Sequence, residues 1–287
     1  ACSSRNGFAA AELNITKISR EDKNRVELRL LSNDEVAPIE SFSCKKQLPV
    51  VYIISQPRVR VRDVMWRTTL GEGGVVNVDF SAIMHNQTLG QKSARLYYEL
   101  YLNDTIRLTT GHLDLTLGMY GIDTMRFGGV VPDSMLWNSA TPHQLSLRLR
   151  NRIAGRDIEF YDLPVAMREL RYESGEFYIN GTRCAMEWIE MSPSVTIEDI
   201  TKAYENGHRA IRFTAGGVGD EILTLCDKLG IYVALTAPID SSSAGESRKR
   251  GGNPSNNPKW RDEYTRRTLQ MIHTTKRHPS VVAYYLA

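Results

Sequence analysis

From Glu176 to the end of the chain the hydrophobic period changes from segment to segment. EFYINGTRCAMEW, RAIRFTAGG, IYVALTAPID and PSVVAYYLA are short runs rich in β-branched and aromatic residues. Between them lie TIEDITKAYENGH, DEILTLCDKLG and NPKWRDEYTRRTLQMIHTTKRH, whose apolar residues recur every three to four positions. Strands alternating with helices of this length predict a parallel sheet with crossover helices. Four such strands make half of a closed (β/α)8 TIM barrel, a fold whose active sites lie at the C-terminal ends of the strands. Local signals agree. Thr196 and Asp199 form a capping box ahead of a face made by Ile197, Ile200 and Tyr204. Ile222, Leu223, Cys226 and Leu229 form the next stripe, ended by Gly230. Pro258 fits the first turn of a third helix whose inner face is Trp260, Tyr264, Met271 and Ile272.

Upstream the pattern is different. Arg25-Val-Glu-Leu-Arg-Leu30 alternates polar and apolar residues, and Leu48 to Ile54 reads as a more buried strand. Val59–Val64, Val75–Phe80, Ala94–Leu102, Asp114–Leu117 and Gln144–Leu149 are further strand-like runs. Gly73-Gly74, Asn103-Asp104, Gly128-Gly129 and Pro132-Asp133 read as the punctuation between them. Many short strands at this spacing predict a sandwich of roughly 100 residues. The change of regime falls near residue 165. The linker from Ser241 to Asn257 has no apolar pattern, and loops of this length commonly serve as lids.

Bulk properties exclude several function classes. A net charge of +3 gives no footprint for nucleic acid. The one basic triplet, Arg248-Lys249-Arg250, sits in a Gly/Ser/Asn-rich stretch and reads as a solvated loop. No apolar run approaches the roughly 20 residues needed to span a bilayer. Cys2, Cys44, Cys184 and Cys226 have no metal-ligand spacing, and Cys226 falls on a helical stripe as a small buried hydrophobe. Their pairing stays open. The opening Ala-Cys-Ser-Ser reads either as the stub of a processed lipoprotein lipidated at Cys2 or as an internal stretch of a longer protein. Asn14, Asn86, Asn103 and Asn180 head glycosylation sequons.

A set of motifs in the last third resembles glycoside hydrolase family 2, the β-galactosidase and β-glucuronidase group. These are Arg168-Glu169, Phe177-Tyr-Ile-Asn-Gly181, Ala210-Ile-Arg212, Leu225-Cys-Asp-Lys-Leu-Gly-Ile-Tyr-Val233, Ala237-Pro-Ile-Asp240 and His278-Pro-Ser-Val-Val282. The resemblance implies three parts. Residues 1–56 would be the C-terminal part of a jelly-roll-like β domain, with Val50 to Val61 as its last strand running onward. Residues 57–165 would be an immunoglobulin-like β-sandwich, and residues 166–287 the N-terminal half of a TIM barrel.

The resemblance also implies a chemistry. Retaining glycosidases place two carboxyl groups about 5 to 5.5 Å apart, one acid/base and one nucleophile. In the family the acid/base Glu follows an Asn just after the fourth barrel strand, here Val281 to Ala287. Neither catalytic Glu falls within the chain, so no catalytic residue is assigned. Several strand ends depart from the family pattern. Trp188, Glu190 and Ser192 replace a Gly/Asn/His cluster, Ala215 replaces a His, Thr236 an acid, and Ser242 another His. The candidate substrate-binding residues are Arg212, Asp240, Trp188 and Glu190. Arg212 either holds the nucleophile carboxylate or a sugar hydroxyl, or forms an ion pair in the barrel mouth. Asp240 either binds metal or sugar, or caps its loop. Trp188 either stacks on a sugar ring or packs in the core. Glu190 with Glu187 is either a substitute acid pair or solvated surface. Some family members bind magnesium near Asp240, but without the His this position offers that ion too few ligands, so no cofactor is expected. The expected partner is carbohydrate. An open half barrel also calls for the rest of a longer chain, or a second copy, over its free edge. The expected location is extracytoplasmic. Two functions stay open: a glycosidase acting on β-linked glycosides in its full-length form, or a non-catalytic pseudo-hydrolase binding glycans or proteins.

Overall fold

The computed structural model describes residues 13–27, 39, 51–242 and 253–286. Cys2, Cys44, Leu28 to Leu30, Leu48 to Val50 and the basic triplet at 248–250 lie outside the described residues, as does most of the 241–257 linker. Two expected strands are corrected. Arg25 to Glu27 has no strand structure, and the strand expected from Val50 begins only at Val59. Val51, Tyr52, Ile53 and Ile54 are all exposed. Among the described residues their β propensity finds no neighbouring strand, and a strand is stable only when paired.

Seven antiparallel strands then form a two-sheet sandwich: β1 (Val59–Leu70), β2 (Val75–Asn86), β3 (Lys92–Leu102), β4 (Ile106–Leu117), β5 (Ile122–Pro132), β6 (Leu145–Ile153) and β7 (Arg156–Val165). The sheet orders are β1-β2-β5 and β4-β3-β6-β7. This is an immunoglobulin-like arrangement. Alternate residues point inward, so Val78, Phe80, Ala82, Leu96, Leu100, Leu147 and Leu149 are buried in a common core. Phe80 stacks on Phe127, and Phe127 on Tyr98. One corner is sealed by a buried carboxylate. β1 bulges between Val61 and Asp63, and Glu159 of β7 accepts the Val61 N–H and the Asn151 amide, each at 3.0 Å. Tyr161 donates to its other oxygen at 2.8 Å.

The sandwich has strands that the sequence pattern did not mark, β5 and β7. Gly128 and Gly129, read as a turn, lie inside β5. A side chain at Gly128 would meet the Val78 carbonyl at 2.3 Å, so glycine here permits close approach of backbones.

A small meander follows: β8 (Leu170–Glu173), β9 (Glu176–Ile179) and β10 (Thr182–Arg183). Asn180 and Gly181 make its tight turn with φ of 50° and 75°. So Glu176 to Arg183 belongs to this antiparallel sheet, and the first barrel strand starts later. That strand is β11 (Trp188–Met191), followed by α1 (Ile197–Glu205), β12 (Ala210–Phe213), α2 (Asp220–Leu229), β13 (Tyr232–Thr236), α3 (Arg261–Thr275) and β14 (Val281–Tyr285). The four strands pair parallel in the order β11-β12-β13-β14. This is the first half of a β/α barrel, as the periodicity predicts. The α1 capping box is formed on both sides, and Gly230 ends α2 with φ 71°. Ile211, Phe213, Val233, Leu235 and Val281 pack under the helices with Ile200, Ile222, Leu223 and Cys226.

Helix α3 keeps Trp260, Tyr264 and Met271 of its expected inner face against the core and adds two charged residues to it. Its first turn, Pro258–Trp260, is a 3-10 turn, and Trp260 and Met271 are buried. Glu263 and Arg267 are buried too, and Arg267 is wholly inaccessible. Arg267 donates to Glu263 at 2.9 Å and to the Pro238 carbonyl at 2.8 Å, which lets a cation occupy a core position.

Sandwich and half barrel are joined by polar anchors. Trp137 is fully buried and donates to the Asp227 carbonyl at 2.8 Å, with its ring edge-on to Tyr232. Lys276 reaches back to Asp63 and to the Val64 carbonyl. Arg168 donates to the Val281 carbonyl at the start of β14, and burial pushes its guanidinium down to about 10.

Candidate functional site

In a parallel sheet, residues in register share a face. Trp188, Ala210 and Tyr232 form the lowest layer, at the N-terminal starts of β11, β12 and β13. Glu190, Arg212 and Ala234 form the layer above, and Thr236 and Tyr285 the layer at the C-terminal ends. These layers face away from the helices, into what would be the barrel lumen.

The structure brings two of the four candidate residues together. Glu190 and Arg212 are cross-strand neighbours, with a carboxylate oxygen 3.7 Å from the guanidinium. Both are well exposed, so the pair contributes little to stability by itself. Arg212 is in register with Ala234, and its guanidinium lies 4.8 Å from the centroid of the Tyr285 ring. Its Nε is shielded and bonds to no group in the chain. Arg212 is therefore presented between a carboxylate and an aromatic face, with donors still open toward the lumen. Tyr285 escaped the sequence reading. Its signal was available, because alternate residues of the last strand must face the lumen.

Asp240 lies just past β13 rather than beside that pair. Its Oδ1 accepts the Ser242 N–H at 3.0 Å, and its own N–H donates to the Ile39 carbonyl at 2.9 Å. That is the geometry of a loop cap. Thr236, where the family has an acid, is buried and donates its hydroxyl to the Phe213 carbonyl at 2.7 Å. Trp188 is half-buried in the lowest layer, two residues before Glu190 and farther from the mouth. Glu187 is exposed and precedes the strand. Among the described residues no three or more His, Cys, Asp or Glu side chains come together as a metal site.

His278 is placed away from this mouth. Its Nδ1 lies 2.7 Å from Asp227 and its Nε2 3.0 Å from Asp220, while Asp227 also accepts the Ser280 N–H at 3.0 Å. Burial pushes the Asp220 carboxyl up, but Arg277 and His278 outweigh it and hold the group below the usual carboxylate range. This network ties α2 to the start of β14. Two sequons are also accounted for: Asn86 is buried and Asn180 spends its amide on Trp137 and Glu169.

Residues 191–287 match the family described as glycosyl hydrolases family 2, TIM barrel domain. The β-galactosidase of Priestia megaterium (strain DSM 319 / IMG 1521) is 22% identical over 309 residues, covering 99% of this chain and 29% of that protein. The segment 191–287 is thus similar to the TIM barrel domain of glycoside hydrolase family 2. Among solved structures, Bacteroides uniformis β-glucuronidase 2, covalently bound to cyclophellitol-6-carboxylate aziridine, superposes with a TM-score of 0.64 at 20% identity. That match covers 78% of this chain and 27% of the glucuronidase. A family 2 member from Bacteroides cellulosilyticus DSM 14838 gives a TM-score of 0.66 at 13% identity, over 80% of this chain and 32% of that one. The chain spans less than a third of that curated relative's length. No helix among its described residues is long and apolar enough to cross a membrane.

Proposed function

We propose that the full-length protein containing this chain hydrolyses β-linked glycosides outside the cytoplasm, with catalytic carboxylates supplied by barrel strands after β14. The observation that carries this reading is the half barrel itself: four parallel strands in sequential order, with Arg212 and Glu190 on the lumen face. Arg212, with free donors and an aromatic neighbour, suits a sugar hydroxyl or the carboxylate of the nucleophile. Glu190 orients Arg212 and offers acceptors to a hydroxyl. Trp188 supports these two from below, and Asp240 shapes the rim of the mouth. The free edge of β14 is covered by the remainder of the barrel.

Hydrolysis of a panel of nitrophenyl β-glycosides by the full-length protein tests this. Turnover that drops at least about a hundredfold in Arg212→Ala, with the fold retained, is the expected result. A second reading, a non-catalytic glycan binder, is favoured by Thr236 and Ala215, which stand where the family carries an acid and a His. Silence across the panel combined with glycan binding would favour it. A residue pair other than Asn-Glu just after Ala287 would point the same way.

A further inference from the structure

The outer face of the β4-β3-β6-β7 sheet carries charge in an unusual order. Five arginines and five carboxylates cover it in cross-strand rows. Arg95 pairs with Asp114, and Arg107 with Glu99, so the β3–β4 side is balanced. The β6–β7 side is not balanced locally. Arg150 and Arg152 share the single carboxylate of Asp157, at 3.2 and 2.6 Å. Further along the strands, Asp162 and Asp104 share the single cation of Arg148, at 3.0 and 3.8 Å. One end of the face therefore has an extra positive charge and the other an extra negative one.

Between these ends stands Phe160 of β7, opposite Arg150 and 70% exposed. The neighbouring aromatics are not open in the same way. Arg150 lies 4.2 Å over the Tyr97 ring and Arg148 4.2 Å over Tyr101. Stacked in this way, the arginine side chains are held flat and make an even surface.

We propose that this face is an interface between two copies of the chain. A dipolar face is complementary to itself when a second copy is turned end for end. The positive end of each then covers the negative end of the other, as an isologous contact requires. Phe160 lies near the axis of that arrangement and supplies its apolar anchor, the kind of central residue that carries most of an interface's energy. Four strands at a spacing of about 4.8 Å and some nine residues at about 3.3 Å give roughly 570 Å² per copy. Stable interfaces bury about 800 Å² per partner, so the contact is a weak, reversible one.

Sedimentation velocity on the chain across about 1 to 200 µM reads it. A reversible monomer–dimer equilibrium is expected. Phe160→Asp should weaken it by about tenfold or more, as should Arg150→Glu and Asp162→Arg singly. The two charge changes combined in one chain exchange the ends of the face and should restore association. Thermal melts of each variant check that the fold persists. A chain that stays monomeric at all these concentrations overturns the proposal. So does a dimer indifferent to all these changes, which would assign association to the barrel's free edge instead. A monomer whose β6 and β7 amides are protected from exchange by added oligosaccharide would make the face a sugar platform and overturn it equally. None of these outcomes bears on glycoside hydrolysis, which rests on the lumen face of the half barrel.

Discussion

The sandwich and the half barrel solve the same packing problem to different degrees. In the sandwich the inward face of each sheet is covered by the other, and its core residues are nearly all inaccessible. In the half barrel only the helix-side face is covered. Ile211, Phe213 and Val233 are wholly buried there, while Glu190, Arg212 and Tyr285 on the opposite face are not. A sandwich can close with seven strands, whereas a barrel cannot close with four. The lumen face can therefore carry polar and charged residues at little cost, which is where a binding site belongs.

Core truncation should separate the two regions most sharply. Leu147 is fully buried at the centre of the sandwich. Leu147→Ala should cost about 2–5 kcal/mol, because the cavity cannot collapse between two rigid sheets. Tyr285→Ala, on the lumen face, should cost less than about 1 kcal/mol in the same urea titration. A comparable loss at both positions would break the contrast and show that the lumen face is packed in solution.

The next largest effects should come at the seam. Asp227 is buried and holds His278 and the Ser280 N–H. Asp227→Ala strands both donors and should cost about 3 kcal/mol, read as a lowered urea midpoint. Gly230→Ala should follow at about 2–3 kcal/mol. Its φ is 71°, and an added Cβ would sit 2.4 Å from the Ser139 carbonyl of the sandwich. If Gly230→Ala lowers only a separate, later transition, the two regions unfold independently. A single shifted transition would show that the seam couples them.

The sequence made the periodicities legible and the close contacts illegible. The parallel order of the barrel strands, the α1 capping box and the Gly230 helix end all follow from local patterns, and all are present. The strand β5 was hidden because Gly128 and Gly129 mark a turn in any local reading. They serve instead a tertiary approach that one chain segment cannot reveal. Arg267 and Glu263 on the inner face of α3 were hidden for a related reason. Their burial depends on a carbonyl of Pro238 that is distant in sequence. At the candidate site, the Glu190–Arg212 pairing could have been found once the strands were placed in parallel register. Tyr285 could have been found in the same way. The cap made by Asp240 was one of two readings, and its bond to Ser242 is of the short range that sequence does encode.

The smallest effect should be chemical rather than thermodynamic. Burial, with Asp227 adding to it, pushes the Cys226 thiol up to about 12. Burial also raises Cys184, but less, because Tyr232 donates to it and the residue stays half-exposed. The thiolate is the reactive form, so its fraction rises about tenfold per pH unit below the pKa. Alkylation of Cys184 by iodoacetamide, followed by peptide mapping, should therefore proceed in the native state and accelerate from pH 7 to pH 9. Cys226 lies under α2, against the covered face of the sheet, and should stay unlabelled over the same range until urea unfolds the chain. In Asp227→Ala the seam loosens, and Cys226 should begin to label at urea concentrations where the sandwich is still folded. Native labelling of Cys226 in the unmodified chain at the rate of Cys184 would mean that the helix layer opens readily. The half barrel would then differ from the sandwich on both of its faces, rather than on the lumen face alone.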